Sequence, residues 1–143
     1  LTTTGPRLVE INARSGGDLI PYLGRLATGV DAGLVAADLA MGRTPDVRVR
    51  PYGVAAIRFL YPPRDMVVGE VRIDRSRLPA LVDRAEALAK PGQTLLLPPR
   101  AHVSGRHAFV VVSGATAEEC RRTLDEAATA VTVYPQEGVV ARP

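Results

Sequence analysis

Cysteine, lysine, aromatic residues and long apolar runs are all scarce in this sequence of 143 residues. The one cysteine, Cys120, excludes an internal disulfide and leaves too few thiols for a cysteine-based zinc site, which agrees with a reducing compartment such as the cytoplasm. No apolar run approaches the roughly 20 residues that cross a bilayer, and no secretory signal opens the chain. We therefore expect a cytoplasmic protein with no membrane partner.

The positive charge of the chain is carried almost wholly by arginine. Lys90 is the one lysine beside 17 arginines, and the net charge is +3. Nucleic-acid-binding surfaces concentrate basic residues in a patch or stripe, often with aromatic side chains. Here the arginines are spread along the chain and only 4% of the residues are aromatic. The sequence therefore predicts no nucleic-acid partner.

Hydrophobic periodicity predicts an α+β fold, since 46% of the residues are hydrophobic and helical and strand patterns both occur. In the first part, residues 7–13 alternate as a strand, and two helices follow with Asp18 and Asp31 as N-caps. Residues 43–53 are polar and broken by prolines, which is typical of a linker.

The second part reads as a small lobe with an antiparallel sheet. Apolar runs predict strands at residues 54–61, 66–73, 94–97 and 107–112, and residues 134–143 predict a final strand or strap. Helical spacing predicts a helix over 78–89, and a second helix begins at the capping box of Thr116 and Glu119. We expect these two helices to cover one face of the sheet.

Three polar residues stand at alternate positions of the first predicted strand: Glu10, Asn12 and Arg14. Alternate side chains share one face of a strand, where a carboxylate and an amide oxygen suit Mg²⁺ and an arginine suits a phosphate. The turn Ser15-Gly16-Gly17 follows, and its backbone N–H groups at a helix start favour an anion. From spacing alone, a phosphoryl-transfer site and an edge strand with a solvated polar face are equally supported.

A resemblance favours the site. The stretch "GPRLVEINARSGGDLIPYLGRLATGVDAGLVAADLAMG" resembles the C-terminal end of an ATP-grasp catalytic domain, in which a Glu-x-Asn-x-Arg strand precedes a glycine-rich turn and two helices. The later stretches are similar to the C-terminal lobe of L-amino acid ligases and, more distantly, of biotin carboxylases: "VAAIRFLYPP", "GQTLLLPPR" and "GRHAFVVVSGATAEECRRTLDEAATAV". The resemblance implies a boundary between residues 1–45, the end of the catalytic domain, and residues 46–143, the C-terminal lobe.

What the resemblance implies is a carboxylate-amine ligase that uses ATP and Mg²⁺ and forms an amide or peptide bond through an acyl phosphate. The residues matching Glu10 and Asn12 hold Mg²⁺, and the one matching Arg14 steadies the transferring phosphate. Gly16 and Gly17 help to hold the acyl intermediate or a substrate carboxylate.

The family's nucleotide-binding lobe, phosphate-covering loop and further metal-binding carboxylate lie before the matched region. Because the chain begins at Leu1 without Met, we expect a C-terminal fragment that is inactive alone and shares its ATP site with an N-terminal portion. A second copy of the chain is a further candidate partner.

Two alternatives stay open at this point. One is a biotin-carboxylase-like enzyme that phosphorylates bicarbonate. The other is a noncatalytic interaction module that keeps the fold, although Glu10, Asn12 and Arg14 argue against it. The identities of the carboxylate and the amine do not follow from the sequence.

Four further residues are candidates for binding. His102 and His107 lack a nearby carboxylate and are expected to be ordinary loop or strand histidines, not a metal pair. Arg100 and Arg106 border the Pro98-Pro99 loop. A substrate contact is one interpretation of these two arginines, and a position at the surface is the preferred one.

Overall fold

The computed structural model describes residues 5, 7–8, 14–50 and 53–138. Three helices are present in this part of the chain: α1 Ile20–Thr28, α2 Ala32–Ala40 and α3 Ala117–Ala128. Six strands accompany them: β1 Val54–Leu60, β2 Met66–Ile73, β3 Val82–Ala87, β4 Thr94–Leu95, β5 Ala108–Gly114 and β6 Val131–Pro135. The mixture of helices and antiparallel strands confirms the α+β fold class.

The strands form two sheets of three, where the sequence suggested one. β5 lies between β1 and β3 in the first sheet, and β2 lies between β4 and β6 in the second. The four pairings among these six described strands are antiparallel. The apolar run of β5 has no polar alternation because both of its faces are covered, and its residues 108–112 are all less than 5% exposed.

Helix α3 covers one face of the first sheet. Thr116 is its N-cap and accepts a hydrogen bond from the backbone N–H of Glu119, as the capping box predicts. The buried stripe of α3 packs with inward side chains of β3 and β5 in one core: Cys120, Leu124, Ala127, Ala85, Val110 and Val112.

Helix α1 contacts the same sheet. Tyr22 of α1 hydrogen-bonds to the carboxylate of Asp83, and this bond raises the pKa of the Tyr22 hydroxyl. The guanidinium of Arg84, on the face of β3 away from α3, lies 5.9 Å from the Tyr22 ring. The expectation of two lobe helices on one face was therefore wrong: in the described chain α3 covers that face and α1 lies at the other.

The helix predicted over residues 78–89 was also wrong, because this segment contains β3. Its pairing with β5 shifts between Val82 and Arg84, so that Val82 lies opposite Val112 and Ala85 opposite Val110. Such a β-bulge adds one residue, which places Val82 and Ala85 on the same face although they are three apart. The bulge thus gave the strand the spacing of a helix.

The second sheet has a smaller core, formed by Val68 and Leu95, both 0% exposed, together with Ala89. Predicted strands correspond to β1, β2, β4 and β5, with ends that differ by a few residues. Residues 43–50 have no helix or strand, as a linker prediction requires. Among the residues that the structure describes, no helix is both long enough and apolar enough to cross a membrane.

His107 lies directly before β5 and is 4% exposed. Its backbone is held at both ends, since its N–H donates to Leu60 O at 2.8 Å and its carbonyl accepts from Leu88 N at 2.8 Å. The side-chain Nδ1 has no hydrogen-bond partner in the described chain. Burial lowers the pKa of the His107 imidazole, which favours the neutral ring.

This burial predicts a pH-dependent stability. Below about pH 6.5, the ordinary pKa of histidine, the unfolded chain takes up a proton that folded His107 resists, so the free energy of unfolding should fall as the pH is lowered from about 6.5 to 5. Urea unfolding across this range should show a smaller loss in His107→Met than in the wild type. The matched control is His102→Met, at an exposed histidine, and its loss of stability should equal that of the wild type. Equal losses in the wild type and His107→Met would contradict the prediction.

Candidate functional site

Two of the predicted site residues, Glu10 and Asn12, lie outside the described residues, as does most of the first predicted strand. Their role as metal ligands stays a prediction. Arg14, Gly16 and Gly17 are described, and all three are exposed. They belong to a segment of residues 14–19 that leads into α1, here called the glycine-rich turn.

Arg14 opens the glycine-rich turn with an exposed guanidinium. Its Nη1 donates to the carbonyl of Ser15 at 3.2 Å, which orients the side chain along the turn. Within the described chain, no carboxylate lies within ion-pair distance of it. The guanidinium fork, as far as the described residues show, keeps N–H donors that suit an anion.

Gly16 and Gly17 leave the backbone of the turn open. A Cβ added at Gly17 would meet no atom within 4 Å, and one at Gly16 would lie 3.4 Å from the Cβ of Ile20, an ordinary contact. Neither glycine has a φ in the left-handed region. The packing of the described chain therefore does not require glycine here, and the missing side chains leave space at the backbone beside Arg14.

The turn ends in two non-glycine residues with left-handed backbone, Asp18 at φ 53° and Leu19 at φ 60°. Such conformations cost on the order of 1 kcal/mol each and persist only where the surroundings hold them. Leu19 occupies the N-cap position of α1, and no side chain caps the helix. The prediction that Asp18 caps this helix was therefore wrong.

The carboxylate of Asp18 is bound to the second part of the chain instead. Arg106 Nη1 donates to Asp18 Oδ1 at 2.7 Å, across 88 residues of sequence. The Arg106 guanidinium lies 3.8 Å from the centroid of the Phe59 ring, and its Nε donates to the Tyr61 hydroxyl at 3.3 Å. The hydrogen bond to Asp18 raises the pKa of Arg106 above its usual value.

The preferred interpretation of Arg106 as a surface arginine was wrong, because its side chain is only 14% exposed. Arg100 does lie at the surface and pairs with Asp65. Sequence reasoning did not find the pairing of Arg106 with Asp18, since no local pattern connects residues so far apart. The one available signal was a charged residue beside an apolar strand.

A cavity of about 330 Å³ lies where the turn meets the first sheet. Its wall is mainly apolar and includes Leu19, Phe59 and Phe109. Charged groups from both parts of the chain also line it: Asp18, Arg84 and Arg106. Arg84 is paired with Glu86 at 2.6 Å and lies 5.9 Å from the Phe109 ring. The cavity thus offers apolar contact and paired charges directly after Gly16 and Gly17.

Metal ligands are sparse in the described chain. It contains no group of three or more His, Cys, Asp or Glu side chains arranged to hold an ion. His102 is exposed and His107 is buried, and that they are not a metal pair stays a prediction. The described part of the site can therefore hold an anion, through the Arg14 guanidinium and the open backbone, and a small organic group in the adjacent cavity.

No family model and no curated protein sequence matches the chain. Solved structures do match. An L-amino acid ligase from Bacillus licheniformis superposes with a TM-score of 0.72 at 20% identity, over 87% of this chain and 31% of the ligase. A phosphoribosylglycinamide synthetase from Anaerococcus prevotii gives a TM-score of 0.78 at 12% identity, over 95% of this chain and 35% of the synthetase.

The urea carboxylase of Kluyveromyces lactis is a more distant match, with a TM-score of 0.58 at 18% identity over 88% of this chain and 11% of the carboxylase. This chain thus spans about a third of the first two proteins and a ninth of the third. All three are ATP-grasp enzymes. The expectation from the sequence is confirmed at the level of architecture: the chain has the fold of part of an ATP-grasp enzyme.

Proposed function

We propose that this chain is part of an ATP-dependent ligase that joins a carboxylate to an amine through an acyl phosphate. The observation that carries the proposal is the exposed Arg14 guanidinium, which has no carboxylate partner among the residues that the structure describes and stands beside the open backbone of Gly16 and Gly17. These groups are donors for a phosphoryl oxygen, and phosphoryl transfer depends mainly on such positioning and charge neutralisation.

Arg14 is assigned to the transferring phosphoryl group and then to the acyl phosphate. Its planar fork can donate two hydrogen bonds to adjacent phosphoryl oxygens while balancing their charge. The backbone at Gly16 and Gly17 is assigned to the acyl intermediate or a substrate carboxylate. No side chain at these positions obstructs that approach.

The fit of Mg²⁺ depends on donor chemistry. Glu10 and Asn12 supply a carboxylate and an amide oxygen, which are ligands that Mg²⁺ accepts. When bound, Mg²⁺ would neutralise phosphate charge and align ATP. Because the chain spans about a third of two ATP-grasp relatives, we assign the remaining ATP contacts to another portion and propose that this chain alone is inactive.

The cavity beside the turn is assigned to the organic part of a substrate. It is lined by Leu19, Phe59 and Phe109 and begins at Asp18, directly after the proposed anion site. A substrate bound there would have its reactive carboxylate near Arg14 and its side chain on apolar surface. Burial of that side chain would exclude water from the acyl phosphate, which water would otherwise hydrolyse.

The ligase proposal is favoured over a carboxylase by the structural likeness. The amino acid ligase and the synthetase superpose with TM-scores of 0.72 and 0.78, against 0.58 for the urea carboxylase. The buried thiol of Cys120, unpaired in the described chain, is compatible with a cytoplasmic enzyme.

Replacement of Arg14 tests the proposed function. In the enzyme assembled with the rest of its ATP-grasp domain, Arg14→Ala should lower kcat for amino-acid-dependent phosphate release by about 10²- to 10³-fold, because a donor to the transferring group is lost. Arg14→Lys should recover only part of this loss. The matched control is Arg75→Ala, at an exposed arginine of the short 3₁₀ turn Arg75–Arg77. Equal rates for Arg14→Ala and the wild type would rule out the proposed role.

Replacement of Gly17 tests the proposed open backbone separately. The added Cβ of Gly17→Ala would meet nothing within the chain, so the free energy of unfolding should change by less than about 0.5 kcal/mol. The same methyl group should obstruct the bound acyl group and lower kcat. Gly24→Ala in α1, where a Cβ also meets nothing within 4 Å, should leave the rate unchanged. Unchanged kinetics for Gly17→Ala would contradict the assignment of this space to a ligand.

A further inference from the structure

One side chain of the C-terminal lobe is bound to the glycine-rich turn although it lies far from it in sequence. Arg106 follows the short 3₁₀ turn Val103–Gly105 and stands just before β5. Its ion pair with Asp18 joins the segment that carries Arg14, Gly16 and Gly17 to the first sheet. This contact therefore helps to position the turn relative to the lobe, together with the packing of α1 against the same sheet.

The lobe fixes the Arg106 guanidinium by contacts other than Asp18. Its central carbon Cζ lies over the Phe59 ring, 3.8 Å from the ring centroid, and its Nε donates to the Tyr61 hydroxyl at 3.3 Å. Phe59 belongs to β1, which pairs with the buried strand β5 over seven residues. The guanidinium is thus attached to the sheet that contains the buried strand β5, and it presents Nη1 to Asp18.

The turn, in contrast, has few bonds of its own. Asp18 and Leu19 both have left-handed backbone, and no side chain caps the helix that follows. The backbone bond from Ile20 N to Gly17 O, at 3.0 Å, is local to the turn. A strained backbone persists where its surroundings determine it, and the described contact that does so at Asp18 is Arg106.

Burial separates the role of Arg106 from that of Arg14. The Arg106 side chain is 14% exposed, with its Nε and Nη1 donors already bonded, whereas Arg14 is exposed and free of a described carboxylate partner. We propose that Arg106 is a positioning residue, which acts through Asp18 to hold the glycine-rich turn so that Arg14 and the backbone of Gly16 and Gly17 face the reacting phosphoryl group. This inference rests on the proposed function.

The test uses the assembled enzyme and two variants that remove the ion pair from opposite sides by taking away one charge each, Arg106→Gln and Asp18→Asn. Each should lower kcat about ten- to a hundredfold, while KM for Mg²⁺-ATP changes less than about threefold, because the arrangement of the acyl site is disturbed and nucleotide contacts are not. The double variant should be no slower than the slower single variant, because both changes remove the same ion pair.

Conservative rescue gives a second readout. Arg106→Lys keeps the charge but lacks the planar fork, so it should recover part of the rate of Arg106→Gln. The matched control is Arg58→Ala on β1, whose Nη1 is 2.7 Å from Asp125 Oδ1, the same length as the Arg106 pair, but which connects β1 to α3. Its kcat should equal that of the wild type.

Amide hydrogen exchange of residues 15–19 tests the inference independently of the proposed function. Exchange should accelerate in Arg106→Gln and Asp18→Asn and remain at the wild-type rate in Arg58→Ala.

Normal kcat in both pair variants, with Arg14→Ala inactive, would overturn the inference and leave the proposed function intact. Full activity in Arg14→Ala would contradict the proposed function, and the proposed positioning role of Arg106 would fail with it. Should Arg106→Gln fail to fold, Asp18→Asn, at a side chain 48% exposed, decides the outcome.

Discussion

The buried strand β5 is the constraint on which the other elements depend. It pairs with β1 on one edge and β3 on the other, and its residues Ala108–Val112 are almost wholly removed from water. Burial of apolar surface of this extent is the main source of stability in a small fold. Helix α3 packs on one face of this sheet, and the contact of Arg106 with Phe59 lies at the other face. The same sheet therefore positions both the core and the candidate site.

The candidate site joins the first sheet, which is well buried, to the glycine-rich turn, whose backbone is strained. The sheet fixes the Arg106 guanidinium, and the guanidinium binds Asp18 in a turn whose backbone is left-handed at two non-glycine residues. In the proposed function this contact gives Arg14 and the glycines a defined position without burying them, as an anion-binding group that also admits a substrate requires. The same contact forms the wall of the cavity that we assign to the organic substrate.

Local signals in the sequence predicted much of this structure. The apolar run of β5 was sufficient to predict that strand, and the caps at Asp31 and Thr116 were sufficient to predict the starts of α2 and α3. Each of these signals acts over a few residues. The bulge in β3 was not predictable, because it gives a strand the spacing of a helix. The Asp18 and Arg106 pair was missed because it spans 88 residues and depends on the finished fold. The assignments of Glu10 and Asn12 stay predictions.

Calorimetric titration of Mg²⁺-ATP tests the central claim, a shared ATP-grasp site, most directly. The titration is made into this chain alone, into the chain with the remaining ATP-grasp portion, and into that assembly carrying Glu10→Ala. We expect no binding to the chain alone, binding to the assembly, and a loss of affinity in the variant, because a Mg²⁺ ligand has been removed. Absence of binding when both portions are folded, or equal affinity in Glu10→Ala, would contradict the claim.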